Sequence, residues 1–306
     1  MIGLNISASL NSVVAIYILI PIILIPQLLL SGVPVKFDDL HRSLTKRIYV
    51  PVIGDLMTSR WAYEALAVEL FKNNRFERNF YEFDQVISES NYKTSFLIPR
   101  LVNITEESQR LAENRTNEQS LQKNLQLLKS EIEALGEITG LFPFEYIDNL
   151  TPDEYNKEIA TEALDYLTYV RLHYQEKAQI ALERRDSTYS VLVDSLGEQG
   201  VYKLKQDNHN EKLADFATNR LEITKIVEIE NRLYQKGDPI FEIPKHNAGR
   251  AQFYAPYKKF NDQLYDTKWF NLIVIWLFTF LLYILLLLDV FRKMAEYFTN
   301  LKLYRQ

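Results

Sequence analysis

The sequence predicts an all-α membrane protein. Two transmembrane helices flank a long antiparallel, coiled-coil-like helical arm, and a short re-entrant or interfacial helical segment follows the first of them. Three observations lead there. Charged residues make up 25% of the 306 residues, yet none occurs from Met1 to Val35 or from Trp269 to Leu288. The block between, Lys36 to Lys268, has only seven glycines and seven prolines in 233 residues. Its apolar residues recur at helical spacing. The mean hydropathy of −0.18 therefore averages two membrane-grade segments and one polar block.

The first segment, Asn11 to Leu30, reads NSVVAIYILIPIILIPQLLL. A hydrocarbon core of about 30 Å needs roughly 20 such residues, so residues 1–35 are assigned to the first transmembrane helix. Pro21 and Pro26 each remove a backbone donor, which predicts a bent helix whose freed carbonyls are satisfied by neighbours. A basic stretch before the apolar run is missing, and Ser31-Gly32 leads into Val33-Pro34. Both features favour a membrane helix over a cleaved signal peptide. Residues 36–72 form the re-entrant or interfacial segment. In it Glu64 follows Arg60 by four residues, either as its buried partner or, the preferred reading, as the polar face of an interfacial helix.

The arm spans residues 73–250. Leu121, Leu125, Leu128, Ile132 and Leu135 follow a 4-3-4-3 spacing, which is a heptad seam. Ile104 and Leu111 extend it backward, Pro99 marks the start of this helix, and Gly136 and Gly140 mark its end. Such a seam usually packs against its own chain; a partner's coiled coil is the alternative. Thr151 with Glu154, and Pro152 at the first helical position, predict a second helix running towards Leu196. Gly197 and Gly200 break it. A last amphipathic stretch carries Leu213, Phe216, Ile223, Ile226 and Leu233 up to Gly237-Asp238-Pro239.

Residues 251–268 are the juxtamembrane approach, 269–290 the second transmembrane helix, and 291–306 a tail. Charge leaves the orientation open. Lys36, Arg42, Lys46 and Arg47 follow the first segment, but the second is balanced, with Arg250, Lys258, Lys259 and Lys268 before it and Arg292, Lys293, Lys302 and Arg305 after it. The positive-inside rule also weakens for loops longer than about 60 residues.

Several classes of chemistry are excluded. A net charge of −5 without a basic tract argues against nucleic acid. The absence of cysteine removes disulfides, thiolate metal sites and cysteine nucleophiles. No phosphate-binding G-x-x-x-x-G-K-[ST] occurs among the nine glycines. His41, His173, His209 and His246 show no metal-ligand spacing, and Asn208-His209-Asn210 reads as a solvated helix start. Asp38-Asp39 and Glu106-Glu107 read as solvated surface rather than acid–base pairs. The sequons at Asn103, Asn114 and Asn149 are assigned no role. The chain itself is therefore expected to be no enzyme, with no cofactor or metal of its own.

The junctions carry more. LIPQLLLSGVPVKFDDL (Leu24 to Leu40) followed by VPVIGDLMTSRWAYEALAVELF (Val50 to Phe71) resembles the exit of the fifth membrane helix in ABCG-like ABC exporter permeases. In that family the helix ends in a Ser-Gly-apolar turn, the chain dips back towards the membrane, and an aromatic-Glu-Ala-Leu helix follows. AQFYAPYKKF and DTKWFNLIVIWLFTFLLYILLLL then resemble the approach to the sixth helix and that helix. The resemblance covers roughly Gly3 to Phe71 and Ala251 to Gln306.

It implies an extracytoplasmic arm (residues 36–268 outside), cytoplasmic termini and a multi-pass protein of the cell membrane. It also implies partners: the bilayer, a dimer of half-transporters, and a nucleotide-binding domain with four earlier membrane helices. Those parts, with their ATP and magnesium, belong to another polypeptide or to a longer chain. By position after the family's helix, Pro21, Ile25 and Leu28 would line the substrate path, and Val33 and Pro34 would form the outer gate. The family favours leucine at the gate, so Val33-Pro34 departs from it. The alternative function is a two-helix membrane scaffold resembling the polysaccharide chain-length regulators, with an oligomerising extracytoplasmic arm. A sensor chain lacking its signalling domain is a weaker third.

Overall fold

A computed structural model of the chain describes every residue except 11, 42–44, 46, 115, 139, 295–296 and 298–306. Arg42, Lys46, Arg115, Lys302, Arg305 and most of the 291–306 tail lie outside the described residues. The helices in chain order are α1 (Ile2–Ser9), α2 (Val13–Leu29), α3 (Val52–Asp55), α4 (Thr58–Lys72), α5 (Tyr81–Tyr92), α6 (Ile98–Asn114), α7 (Glu118–Gly136), α8 (Lys157–Asn208), α9 (Glu211–Ala217) and α10 (Thr267–Leu287). Two antiparallel hairpins join them, β1 (Ile226–Ile229) with β2 (Arg232–Gln235) and β3 (Tyr257–Phe260) with β4 (Gln263–Asp266). The chain forms two compact units, Met1–Leu70 with Ile243–Gln306, and Phe71–Glu242. Residues 243–250, predicted at the end of the arm, thus belong with the apolar helices.

In the first unit, α10 is long and apolar enough to cross a membrane, and α2 is a shorter apolar helix of 17 residues. At 1.5 Å per residue α2 reaches about 25 Å. It is short because the predicted single helix of residues 1–35 is divided. Leu10 is extended, and the Ser12 hydroxyl caps α2 by accepting from the Ala15 amide. The Asn5 amide donates to the Leu282 carbonyl of α10 at 3.0 Å, joining α1 to that helix. At its other end α2 closes in the Ser31-Gly32 turn, where Ser31 Oγ donates to the Leu28 carbonyl at 2.7 Å.

The second unit is a helical bundle. All five seam residues of α7 are buried in one core with Ile98, Leu101 and Ile104 of α6 and Ala160, Ala163, Leu167 and Val170 of α8. The seam is therefore spent on the chain's own helices. The predicted helix from Pro99 through Gly136 is instead two helices, the first ending at Asn114 and the second starting from the left-handed N-cap Asn117. Pro99 also starts nothing: α5 runs into α6 through a π-helical turn at Lys93–Leu97. The widened turn precedes the residue that lacks a donor, which lets the helical path continue.

α8 is the predicted long helix; it breaks at Gly197 (φ 72, ψ 161) as expected, whereas Gly200, also expected to break it, keeps helical backbone and the helix resumes to Asn208. It begins later than the Thr151 capping pattern predicts. Asn156 Oδ1 accepts from the amides of Glu158 and Ile159 and wins the N-cap, whereas the Glu154 carboxylate takes a hydrogen bond from Asn149. The hairpins correct the all-α expectation. Ile226 and Leu233, read as an amphipathic helix, pair as strands because Glu230 and Asn231 occupy positive φ (49° and 60°) in a two-residue turn.

Candidate functional site

The unusual chemistry of the first unit lies on α4. Its inward stripe is Arg60, Trp61, Glu64, Ala67 and Val68, of which Glu64 is 0% and Arg60 1% exposed. Its outward stripe holds Leu66 and Leu70, 64% and 62% exposed. The helix is thus inverted, with charge inside and leucine outside. The same inversion recurs at Asn5, Ser31 and Asn271, all buried, beside exposed Leu4, Val33 and Ile273. The preferred placement of Glu64 on a polar outer face is therefore wrong; Arg60 and two groups distant in sequence draw it inward.

Glu64 Oε1 accepts from Lys258 Nζ at 2.7 Å, and Oε2 from Asn271 Nδ2 at 2.8 Å. Arg60 Nη1 lies 3.3 Å from Oε2 and Nη2 lies 3.2 Å from Asp55 Oδ1. The Arg60 guanidinium sits 3.8 Å above the Trp61 ring, a stabilising cation–π placement. Trp61 Nε1 in turn donates to the Asp55 carbonyl at 2.7 Å.

Local structure delivers each group. The Asn261-Asp262 turn, with both residues at positive φ, sets the β3–β4 register and turns Lys258 inward. Thr267 Oγ1 donates to the Ala255 carbonyl at 2.6 Å, and the Asp266 carboxylate caps α10 at the Lys268 amide. These contacts fix the first turn of α10, and Asn271 stands one turn further on. A second tie reaches α2: the Ser59 amide donates to Gln27 Oε1 at 3.3 Å, and the Ser59 hydroxyl to the Gln27 carbonyl.

Burial alone would raise the Glu64 pKa, but Arg60, Lys258 and the hydrogen bonds from Lys258 and Asn271 outweigh it and hold the carboxyl below its ordinary value. Burial pushes Lys258 down, and Glu64 opposes the shift only in part. Burial raises Asp55 against Arg60 and Arg250. Among the described residues Arg60 Nε and Asn271 Oδ1 make no hydrogen bond, so the network is not saturated. Every Glu64 oxygen is engaged and enclosed. The arrangement is an electrostatic clamp that ties α4 to the β3–β4 hairpin and α10.

The residues expected to line a path lie elsewhere. Pro21, Ile25 and Leu28 share an exposed face of α2, and Val33 and Pro34 are exposed just beyond the Gly32 turn. None belongs to the clamp. Among the described residues no cluster of His, Asp or Glu could hold a metal ion. Asp39, Glu106 and Glu107 are exposed. The sequence reading missed Lys258 and Asn271. The available signal was a single Asn inside the apolar run WFNLIV and an Arg60–Glu64 pair on the same helical face as Trp61, Ala67 and Val68. No protein-family model, curated protein or solved structure matches the chain.

Proposed function

We propose that the chain is the membrane-spanning permease portion of an ABC-type exporter, driven by a nucleotide-binding domain that it does not contain. In this reading α2 and α10 cross the cell membrane, both termini are cytoplasmic, and residues 36–268 lie outside. The inverted polarity of the first unit carries the proposal. In water, exposing Val52, Leu56, Leu66 and Leu70 while burying Arg60, Glu64 and Lys258 is costly on both counts. In lipid the pattern is the economical one, since apolar chains meet acyl chains and polar groups pair inside.

The permease reading is favoured over a simple anchor by the contacts of residues 50–70. They tie the end of α2 to the start of α10 through Ser59, Glu64 and Asn271, a platform that an anchor does not need. ATP and magnesium on the partner domain would drive rigid-body shifts of the membrane helices, with the clamp moving α4 and α10 together. Pro21, Ile25 and Leu28 would line the path, and Val33 and Pro34 the outer gate.

The test is mild-detergent purification of the tagged chain from its native membranes, with mass spectrometry of whatever co-elutes. A stoichiometric companion carrying a nucleotide-binding domain and the earlier membrane helices is expected. A homogeneous self-oligomer without ATPase activity overturns the proposal in favour of the two-helix scaffold.

A further inference from the structure

The second unit holds a cleft of about 460 Å³ that the exporter reading does not use. Phe76 and Phe80 meet at 5.2 Å between ring centroids, and Tyr189 lies 6.4 Å from Phe80. Val201, 2% exposed, packs against the two phenylalanines. The cleft has the size of a small-molecule site, and its lining mixes aromatic side chains with Glu77, Arg185, Lys205 and His209. Its lips lie on either side of the break at Gly197: Arg185 and Tyr189 precede it, and Val201, Lys205 and His209 follow it. No atom lies within 4 Å of a Cβ built on Gly197, so backbone conformation alone requires glycine there.

The charges decide what the cleft accepts. The Arg185 guanidinium stands 5.2 Å over Phe80, and the Lys205 ammonium 5.8 Å over Phe76. The ring faces therefore already hold cations, and a cationic ligand would be repelled. Arg185 is committed to Asp84 at 2.7 Å, and the Glu77 carboxylate is engaged by His209 Nδ1 at 2.6 Å. Lys205 has no carboxylate within ion-pair distance among the described residues. One cationic head beside three rings thus lacks a counter-charge.

We infer that this cleft binds a small organic anion with a flat ring body, its carboxylate or sulfonate at Lys205 and its ring against Tyr189, the exposed ring of the three. Because α8 supplies both lips, the bound ligand bridges the Gly197 break. The inference stands independently of the exporter reading.

The experiment is calorimetric titration of the full chain in lipid nanodiscs with 2-naphthoate, after subtraction of empty nanodiscs. Saturable one-to-one binding is expected, weakened about tenfold or more by Lys205→Glu and by Tyr189→Ala. The neutral 2-naphthylmethanol should bind about tenfold more weakly than the carboxylate. Lys205 is exposed, so Lys205→Glu should leave the far-ultraviolet circular dichroism unchanged. Absence of saturable binding, an affinity indifferent to Lys205→Glu, or equal binding of the neutral analogue overturns the inference.

Discussion

Lys258 Nζ stands 2.7 Å from Glu64 Oε1, and neither side chain reaches solvent. The two residues are 194 positions apart, so the contact closes the first unit across the whole length of the second. Two cations, Arg60 and Lys258, surround the fully buried Glu64 carboxylate, and the partly exposed Asp55 pairs with Arg60 from its other side.

Breaking the pair from its two sides should therefore be unequal. Glu64→Gln leaves Arg60 and Lys258 buried together without their shared counter-charge, and should cost about 3–5 kcal/mol, the usual scale for stranding a buried charge. Lys258→Met leaves Glu64 still facing Arg60 and Asn271 and should cost less. The double variant should recover part of the Glu64→Gln loss, because no new charge is stranded. Thermal melts followed by tryptophan fluorescence report this directly, since Trp61, Trp269 and Trp276 all lie in the first unit. A double variant as unstable as the sum of the singles would show that the pair does not couple.

The same clamp gives a pH dependence with a defined sign. The folded pKa of Glu64 is below 4.5, so its contribution is complete above pH 4.5 and is lost as pH falls through the folded value. Asp55 runs the other way: its folded pKa is above 3.8, and its penalty is relieved as pH falls through that value. Lys258 carries a penalty below its folded pKa that is relieved as pH rises towards 10.5. Comparison of wild type with Glu64→Gln isolates the first effect. The gap in melting temperature should hold from neutral pH down to about pH 4.5 and narrow only below it, and a gap that stays constant through the acid range would refute the assignment.

These effects were not legible in the sequence for a physical reason. Arg60 and Glu64 at i, i+4 are the common signature of a solvated helix face, and only Lys258 and Asn271, placed by a distant hairpin and helix, make that face an interior. The hairpins escaped for a related reason: four-residue strands compete with helical periodicity, and the decisive Glu230-Asn231 and Asn261-Asp262 turns carry no glycine. The break at Gly197 and the α7 seam were readable because each rests on local chemistry, a backbone conformation in one case and a repeat in the other. The start of α8 offered two candidate caps, and Asn156 prevailed five residues beyond Thr151.

Gly32 should be far less replaceable than Gly3. At φ +86, a Cβ on Gly32 would lie 2.6 Å from Phe37 Cε2 and 2.8 Å from Phe253 Cζ, whose rings pack edge to face. Gly32→Ala combines backbone strain with a collision against two aromatic rings, and should cost at least about 1–3 kcal/mol. Gly3 lies in α1 with nothing within 4 Å, so Gly3→Ala should be neutral or slightly stabilising. Parallel tryptophan melts of the two variants test the contrast; equal effects would mean that the Ser31-Gly32 turn is not held as described.

The outward leucines of α4 can be placed with a single probe, because the chain has no cysteine of its own. Leu66→Cys and Leu70→Cys, carrying an environment-sensitive fluorophore, should be quenched by nitroxide-labelled lipids and shielded from aqueous iodide. Tyr202→Cys, on the exposed second half of α8, serves as the wet reference. Iodide quenching of all three to the same extent would place α4 in water and remove the main support for a re-entrant segment.

The α7 seam distinguishes self-packing from recruitment of a partner coil. Leu128 is fully enclosed at 0% exposure, in the core shared by α6, α7 and α8, whereas Leu172 on the same α8 is 60% exposed. Leu128→Ala removes three carbons from a packed site and leaves a cavity, at a cost of about 2–5 kcal/mol. Leu172→Ala should stay within about 0.5 kcal/mol. The loss should appear in the cooperative far-ultraviolet melt of the helical unit, while the particle mass from light scattering stays unchanged. If the seam instead held a second chain, Leu128→Ala would lower the particle mass at temperatures where the helical signal is still intact.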